Sequence, residues 1–345
     1  MMSRTLFRRA VAAAAGSLAV LAYAAALPAA AAECKRGDLD TRYCDADGDL
    51  LADAPDGPGA WRDPEVLVFS YTPAEDPAVY EGAFREFTDH LARLTGRTVK
   101  WYAAESYAAQ IEAMRSGRLH IAGVATGPTV YGVNLAGYIP FAVMTKDDGK
   151  YGYRLQLITH RDSGIKTLAD LKGRKVAHVT PTSNSGNQAP RALFKSPGVL
   201  PGRDYKVVYS GKHDNSIMGV VNRDYDAAPI ADAVLKRMVR QGVVRRGDIR
   251  VIWQSQPFPP TSYGYIHNLH PRLAKKVREA FLTFDFKGTG LAREFAPRTR
   301  FSEIDYKRDW RAIRLIQQEN EVVYTQDALK RLKTRKKRRR KKKGK

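Results

Sequence analysis

Cysteine is scarce in this 345-residue chain: there are two, Cys34 and Cys44, and no histidine stands near either. That argues against a zinc site, which needs a fuller set of Cys and His ligands. Long apolar runs are equally scarce. After the Ala/Leu/Val-rich stretch from Ala10 to Leu27, none reaches the length that spans a bilayer. HExxH, GxSxG and Walker A motifs are missing, as are clustered Cys/His ligands, so a poised nucleophile, base or metal has no residues to form it. No enzyme, no metal and no cofactor are expected.

What is present begins with a leader. Arg4, Arg8 and Arg9 precede the apolar run, and Ala30 to Ala32 offer a small-residue cleavage site, so residues 1 to 32 read as a secretory signal peptide cleaved near Ala32. An uncleaved anchor is the alternative. Glu33 before Cys34 does not suit a lipidation site. In the oxidising compartment that export implies, Cys34 and Cys44 are expected to form one disulfide closing a small loop. The run from Asp45 to Asp53 carries Asp45, Asp47, Asp49 and Asp53, reminiscent of calcium loops, but lacks the full EF-hand spacing and its terminal Glu. A solvated acidic loop is the expectation.

Charge is unevenly placed. Residues 330 to 345 hold thirteen Lys or Arg and no acid, so of the formal net charge of +22 this tail supplies +13 and the leader +3. The body between them keeps only +6 and is mildly basic. A run of like charges is expected to be disordered and to attract polyanions. Export argues against nucleic acid as its partner in the cell, which leaves an anionic membrane surface as the candidate.

From Val66 onward, apolar strand segments alternate with amphipathic helical ones, the pattern of a mainly parallel sheet covered by helices. Val66 to Tyr71 reads as a buried strand. A helix is expected from an Asp76 cap and Pro77 to Gly96, with Tyr80, Phe84, Phe87, Leu91 and Leu94 on its inner face. Ser106 caps the next helix, and Gly127-Pro128 opens a short one. A second series runs from Tyr153 to Trp253, including a helix from Asp232 to Arg240. The economical architecture is α/β with two lobes: residues 66–150 plus 258–325 form one, and residues 151–257 the other. They follow a Cys/Asp-rich segment, 33–65, and precede a polybasic tail, 326–345. Ligands of such sheets sit beyond the carboxyl ends of the strands.

The most informative stretch lies at one such end. The strand Val176 to Val179 gives way to Thr180-Pro-Thr182-Ser183-Asn184-Ser185-Gly186, and then to residues that can open a helix. Unpaired backbone N–H groups at a helix start favour an anion, and the hydroxyls and amide add donors. The same residues also suit an ordinary capped helix start.

Over roughly residues 65 to 325 the chain resembles the phosphonate, phosphite and phosphate substrate-binding proteins of ABC importers, which have the type 2 periplasmic binding fold. Pro181 to Gly186, Gly211-Lys-His213-Asp214 and Ser106-Tyr107 through Arg115 carry the resemblance. It implies a phosphorus oxyanion in the cleft between the lobes, held by Thr182, Ser183, Asn184, Ser185 and His213. Tyr107 is expected to line the cleft, with Tyr131 and Tyr153 as further aromatic or hinge residues. Asp232 could meet an amino group on the ligand. Asn184 replaces the family's usual threonine, and a second acid expected where Phe258-Pro-Pro-Thr-Ser262 stands is missing. The first keeps a donor but changes its reach; the second favours a small ligand without a charged tail. The implied partner is a permease in the inner membrane; the alternatives are a sensor for another small anion or a binder acting through its tail.

Overall fold

The computed structural model describes residues 34–76, 78–325 and 327–328. The expectations for the leader, Pro77 and the polybasic tail fall outside them. The described residues form one unit by their internal contacts. Among the described residues, no helix is long and apolar enough to cross a membrane.

The first series comprises β1 (Val66–Tyr71), α1 (Ala78–Glu81), α2 (Arg85–Thr95), β2 (Thr98–Trp101), α3 (Tyr107–Arg115), β3 (Ile121–Val124), α4 (Thr126–Ala136) and β4 (Tyr138–Thr145). The second comprises β5 (Leu155–His160), β6 (Lys175–His178), α5 (Ala189–Leu193), β7 (Lys206–Tyr209), α6 (His213–Val221), β8 (Ala227–Ala231), α7 (Asp232–Arg240) and β9 (Ile249–Gln254). The chain then returns through β10 (Ser262–Ile266), α8 (Pro271–Leu282), α9 (Gly290–Phe295), β11 (Arg300–Glu303), α10 (Tyr306–Asp309) and α11 (Arg311–Glu319).

Two sheets result, ordered β2-β1-β3-β10-β4-β11 and β7-β6-β8-β5-β9. They are mixed rather than mostly parallel. β1, β2 and β3 pair parallel, as do β6, β7 and β8, whereas β10 pairs antiparallel with both β3 and β4, β11 with β4, and β5 with both β8 and β9. Helical crossovers make the parallel pairs. β5 and β10, by contrast, enter their sheets on segments arriving from the other sheet.

Two helices differ from expectation. The helix foreseen from Asp76 to Gly96 is broken at Gly82 into α1 and α2, although Gly96 does end it in the left-handed conformation (φ 69°). The short helix at Gly127-Pro128 is an eleven-residue one that begins at Thr126 and is buried along its whole length.

The first sheet's core is aromatic. Phe69, Phe84, Phe87, Phe281, Phe301 and Tyr263 are buried and pack mostly tilted or edge-on, at centroid separations of 4.5–6.5 Å, the arrangement aromatic quadrupoles prefer. The second sheet is filled by aliphatics such as Ile158, Ile217, Val220 and Ile230.

The segment ahead of β1 is docked on this body. Cys34 and Cys44 are disulfide-bonded, with Cα atoms 5.2 Å apart. Leu39 and Tyr43 are buried, Asp40 N–H donates to the Asn134 carbonyl at 2.7 Å, and Tyr43 packs edge-on to His267. At the other end, α11 touches both series: Gln317 Nε2 donates to the Gly127 carbonyl at 2.9 Å, and Asn320 just beyond it donates to that of Gln188 at 2.8 Å.

Candidate functional site

A cleft of about 560 Å³ lies at the carboxyl ends of the strands of both sheets. Tyr71 reaches it from the end of β1, Thr126 from beyond β3, Ser183 to Ser185 from beyond β6, His213 from beyond β7 and Asp232 from beyond β8. The elements that follow these strands start at the cleft, so the positive ends of several helices converge on it.

Each start is built by its local sequence. Ser106, in extended conformation, accepts the Ala109 N–H at 3.2 Å, and Tyr107 begins α3 on the cleft wall. Ser183 accepts the Gly186 N–H at 3.1 Å and thereby caps a π-helical turn, Asn184–Gln188, that leads into α5. Gly186 is required there: a Cβ on it would lie 2.5 Å from Val179, whose N–H bonds back to the Gly186 carbonyl. The turn also meets the first sheet's α4, because a Cβ on Gly127 would lie 2.4 Å from the Thr182 carbonyl oxygen.

The expected ligand donors, His213, Tyr107, Tyr153 and Asn184, are neutral. His213 is buried, at 4 % exposure, and burial pushes its imidazole down to about 4. Its Nδ1 accepts the Ala231 N–H at 3.2 Å. The proton of the neutral ring therefore sits on Nε2, which can donate. Burial holds the phenols of Tyr107 and Tyr153 above their ordinary value, so both remain donors. Asn184 Nδ2 donates to Tyr153 Oη at 3.0 Å, while its buried Oδ1 has no partner.

Asp232 is also in the cleft wall, but both its oxygens are engaged. Oδ1 accepts the Arg154 N–H at 2.8 Å and Oδ2 the Lys236 ammonium at 2.7 Å. Of the residues expected to line the cleft, Tyr107, Tyr153, Ser183, Asn184, Ser185, His213 and Asp232 come together there. Tyr131 and Thr182 do not. Tyr131 lies in the all-buried α4 and packs edge-on against Tyr324 at 5.3 Å. Thr182 is buried with its carbonyl turned to Gly127.

Sequence reasoning missed several residues of the cleft. Thr126 follows β3 as a strand–Thr-Gly-Pro–helix junction, a signal of the same kind as the hydroxyl loop. Buried Glu75 and Arg237 form an ion cluster with half-buried Glu294 at one side of the cleft. Arg237 of α7 pairs with Glu75, beyond β1, and with Glu294 of α9 at 3.2 Å, while Tyr80 donates to Glu75. Arg298 lines the same cavity, and among the described residues its guanidinium has no ion-pair partner. These pairings join residues far apart in sequence, and no local pattern announces them.

The segments joining the two series pass beside this cleft. Tyr153 and Phe258 pair across them by two backbone hydrogen bonds, 3.1 and 2.8 Å.

Comparison with known proteins places these features in context. A family profile described as ABC transporter, phosphonate, periplasmic substrate-binding protein matches residues 69–310. The Phosphate-import protein PhnD of Mycolicibacterium smegmatis is 28 % identical over 243 residues, covering 67 % of this chain and 75 % of that protein. The Phosphonates-binding periplasmic protein of Escherichia coli is 23 % identical over 224 residues, 64 % of this chain and 66 % of that one. Among solved structures, a binding protein component of an ABC phosphonate transporter from Pseudomonas aeruginosa matches with a TM-score of 0.67 at 22 % identity, covering 81 % of this chain and 100 % of that one. PhnD1 from Prochlorococcus marinus in complex with methylphosphonate also gives 0.67, at 18 % identity, over 75 % of this chain and 99 % of that one.

Proposed function

We propose that this chain, which belongs to the family of phosphonate periplasmic substrate-binding proteins of ABC transporters, holds a tetrahedral phosphorus oxyanion in the cleft between its lobes. The observation that carries the reading is the convergence of helix starts and neutral donors on one cavity. Ser183, Asn184 and Ser185 supply the hydroxyl loop, Tyr153 stands beside it, His213 donates through Nε2, and Tyr107 donates from the facing wall. Such uncharged donors stabilise an anion without a metal or a paired cation. None of them is arranged as a nucleophile with its base, so binding rather than turnover is the proposed activity.

The ligand is phosphate, phosphite or a small phosphonate, and its delivery is to an ABC permease in the inner membrane. Capture closes the lobes about the connecting segments near residues 150 and 257. The leader, residues 1 to 32, directs export and is removed near Ala32. The tail, residues 330 to 345, attracts an anionic membrane surface and takes no part in ligand binding; its deletion should leave ligand affinity unchanged and abolish salt-sensitive adhesion to anionic vesicles.

Calorimetry on the mature protein tests the ligand, using phosphate, phosphite, methylphosphonate, aminoethylphosphonate, sulfate and amino acids. Binding of one or more phosphorus compounds, with sulfate and amino acids inert, is expected. Tight binding of sulfate or an amino acid, with every phosphorus compound inert, would overturn the reading.

A further inference from the structure

In the loop that follows the disulfide, one of three neighbouring aspartates is withdrawn from solvent. Asp45, Asp47 and Asp49 each bring a carboxylate oxygen within 4.8 Å of the others. Asp47 and Asp49 are exposed, but Asp45 is buried, at 7 % exposure. Its Oδ2 accepts the Leu50 N–H at 3.1 Å, and its Oδ1 is buried without any partner. A buried carboxylate oxygen left unpaired is costly, and native structures satisfy nearly all of them.

Among the described residues, no basic side chain forms an ion pair with Asp45, Asp47, Asp49 or Asp53. Lys307 does reach the loop from α10, but its ammonium sits on the Gly48 carbonyl at 2.7 Å.

We propose that the Asp45–Asp53 loop is a calcium site, with Asp45 Oδ1 and the carboxylates of Asp47 and Asp49 as its first ligands. A hard divalent cation is the ligand that an all-oxygen carboxylate cluster selects. The spacing supports calcium: aspartates stand at the first, third, fifth and ninth positions, and the seventh, where calcium loops supply a backbone carbonyl, is Leu51. The sixth position, glycine in those loops because the chain turns sharply there, is Leu50, and it adopts a φ of 70° all the same. The ion would lock a segment already fastened at Cys34–Cys44 and packed on the first lobe through Leu39 and Tyr43. It lies outside the cleft, none of whose lining residues belongs to this loop.

The test uses the mature full chain, disulfide intact, stripped with a chelator and desalted. Titration with calcium chloride in a calorimeter should show one ion bound, with a dissociation constant of about 10⁻⁵–10⁻³ M. Saturation should raise the melting temperature by about 2–4 °C. Asp45 is buried and its replacement could unfold the segment, so the variant is Asp47→Asn with Asp49→Asn, both exposed. Its circular dichroism should match the wild type while calcium affinity falls about tenfold or more and the thermal shift disappears. The proposal is overturned by no binding heat and no thermal shift up to ~10 mM calcium, by magnesium binding as tightly as calcium, or by a folded double variant that responds like wild type.

Discussion

Arg237 of α7 reaches across the cleft to Glu75, beyond the end of β1, and so ties the second sheet to the first. The pair is buried, Tyr80 donates to the same carboxylate, and Glu294 takes the other side of the guanidinium. Removing one member of a buried pair leaves the other charge without compensation, at a cost of roughly 3–5 kcal/mol. Arg237→Met should therefore lower the melting temperature clearly and weaken phosphonate binding, because the contact exists only with the lobes together. Adding Glu75→Gln to it should recover part of the stability. A double substitution as damaging as the sum of the singles would show that the two residues do not act on each other.

The hydroxyl loop offers a sharper test of ligand contact. Ser185 is buried on the cleft wall beside Tyr153. A hydrogen bond to a charged partner is worth roughly 1.5–3 kcal/mol, so Ser185→Ala should weaken binding of the phosphorus ligand about tenfold or more. Thr182→Ala is the contrast, because Thr182 lies outside the cleft. Calorimetry on both variants, with equal losses at the two positions, would contradict the assignment.

Histidine burial predicts the acid response. The imidazole of His213 falls to about 4 in the folded chain because burial disfavours its charged form, against about 6.5 for an exposed histidine. Between these values the unfolded chain binds the extra proton, so stability is fully present above pH 6.5 and is lost as pH falls towards 4. His178, pushed down to about 3 by burial, and His267, to about 4, add to the same slope. For His213 alone the loss is on the order of 2–3 kcal/mol. Denaturant unfolding of the ligand-free protein at several pH values should show His213→Gln with a shallower decline than wild type. Identical slopes would mean that this ring titrates normally.

The parts of this fold that the sequence announced are those with strong local signals. Asp232–Arg240 is helical over the residues expected, and Ser106 caps α3 as its hydroxyl suggests. β4 was hidden because Pro140 stands inside it, and proline argues against a strand interior; it is accommodated opposite Gly264, where the register with β10 shifts. β11 is a four-residue edge strand with no periodicity to read. In the cleft, the hydroxyl loop was legible because a strand–helix junction is a local feature. The misplacement of Tyr131 has an equally plain cause: α4 is buried on every side, so no polar face indicates which residues look into the cleft. Glu75, Arg237 and Arg298 meet only through tertiary folding.

The ligand's substituent should follow from the charges left unpaired. An alkylammonium group needs a free carboxylate, and the cleft offers none: Asp232 is held by the Arg154 N–H and Lys236, while Glu75 and Glu294 are held by Arg237. Arg298, whose guanidinium has no ion-pair partner among the described residues, is available instead. Aminoethylphosphonate would have to displace Lys236 to reach Asp232, and a cost of only about 1.4 kcal/mol is tenfold in affinity. It should rank below methylphosphonate by about that factor or more. Lys236 is mostly exposed, so Lys236→Ala costs little stability and releases one Asp232 oxygen. That variant should narrow the gap between the two ligands, with methylphosphonate itself little changed. Competition calorimetry with wild type and variant decides the matter: aminoethylphosphonate binding wild type as tightly as methylphosphonate would show that Asp232 is free to receive an ammonium after all.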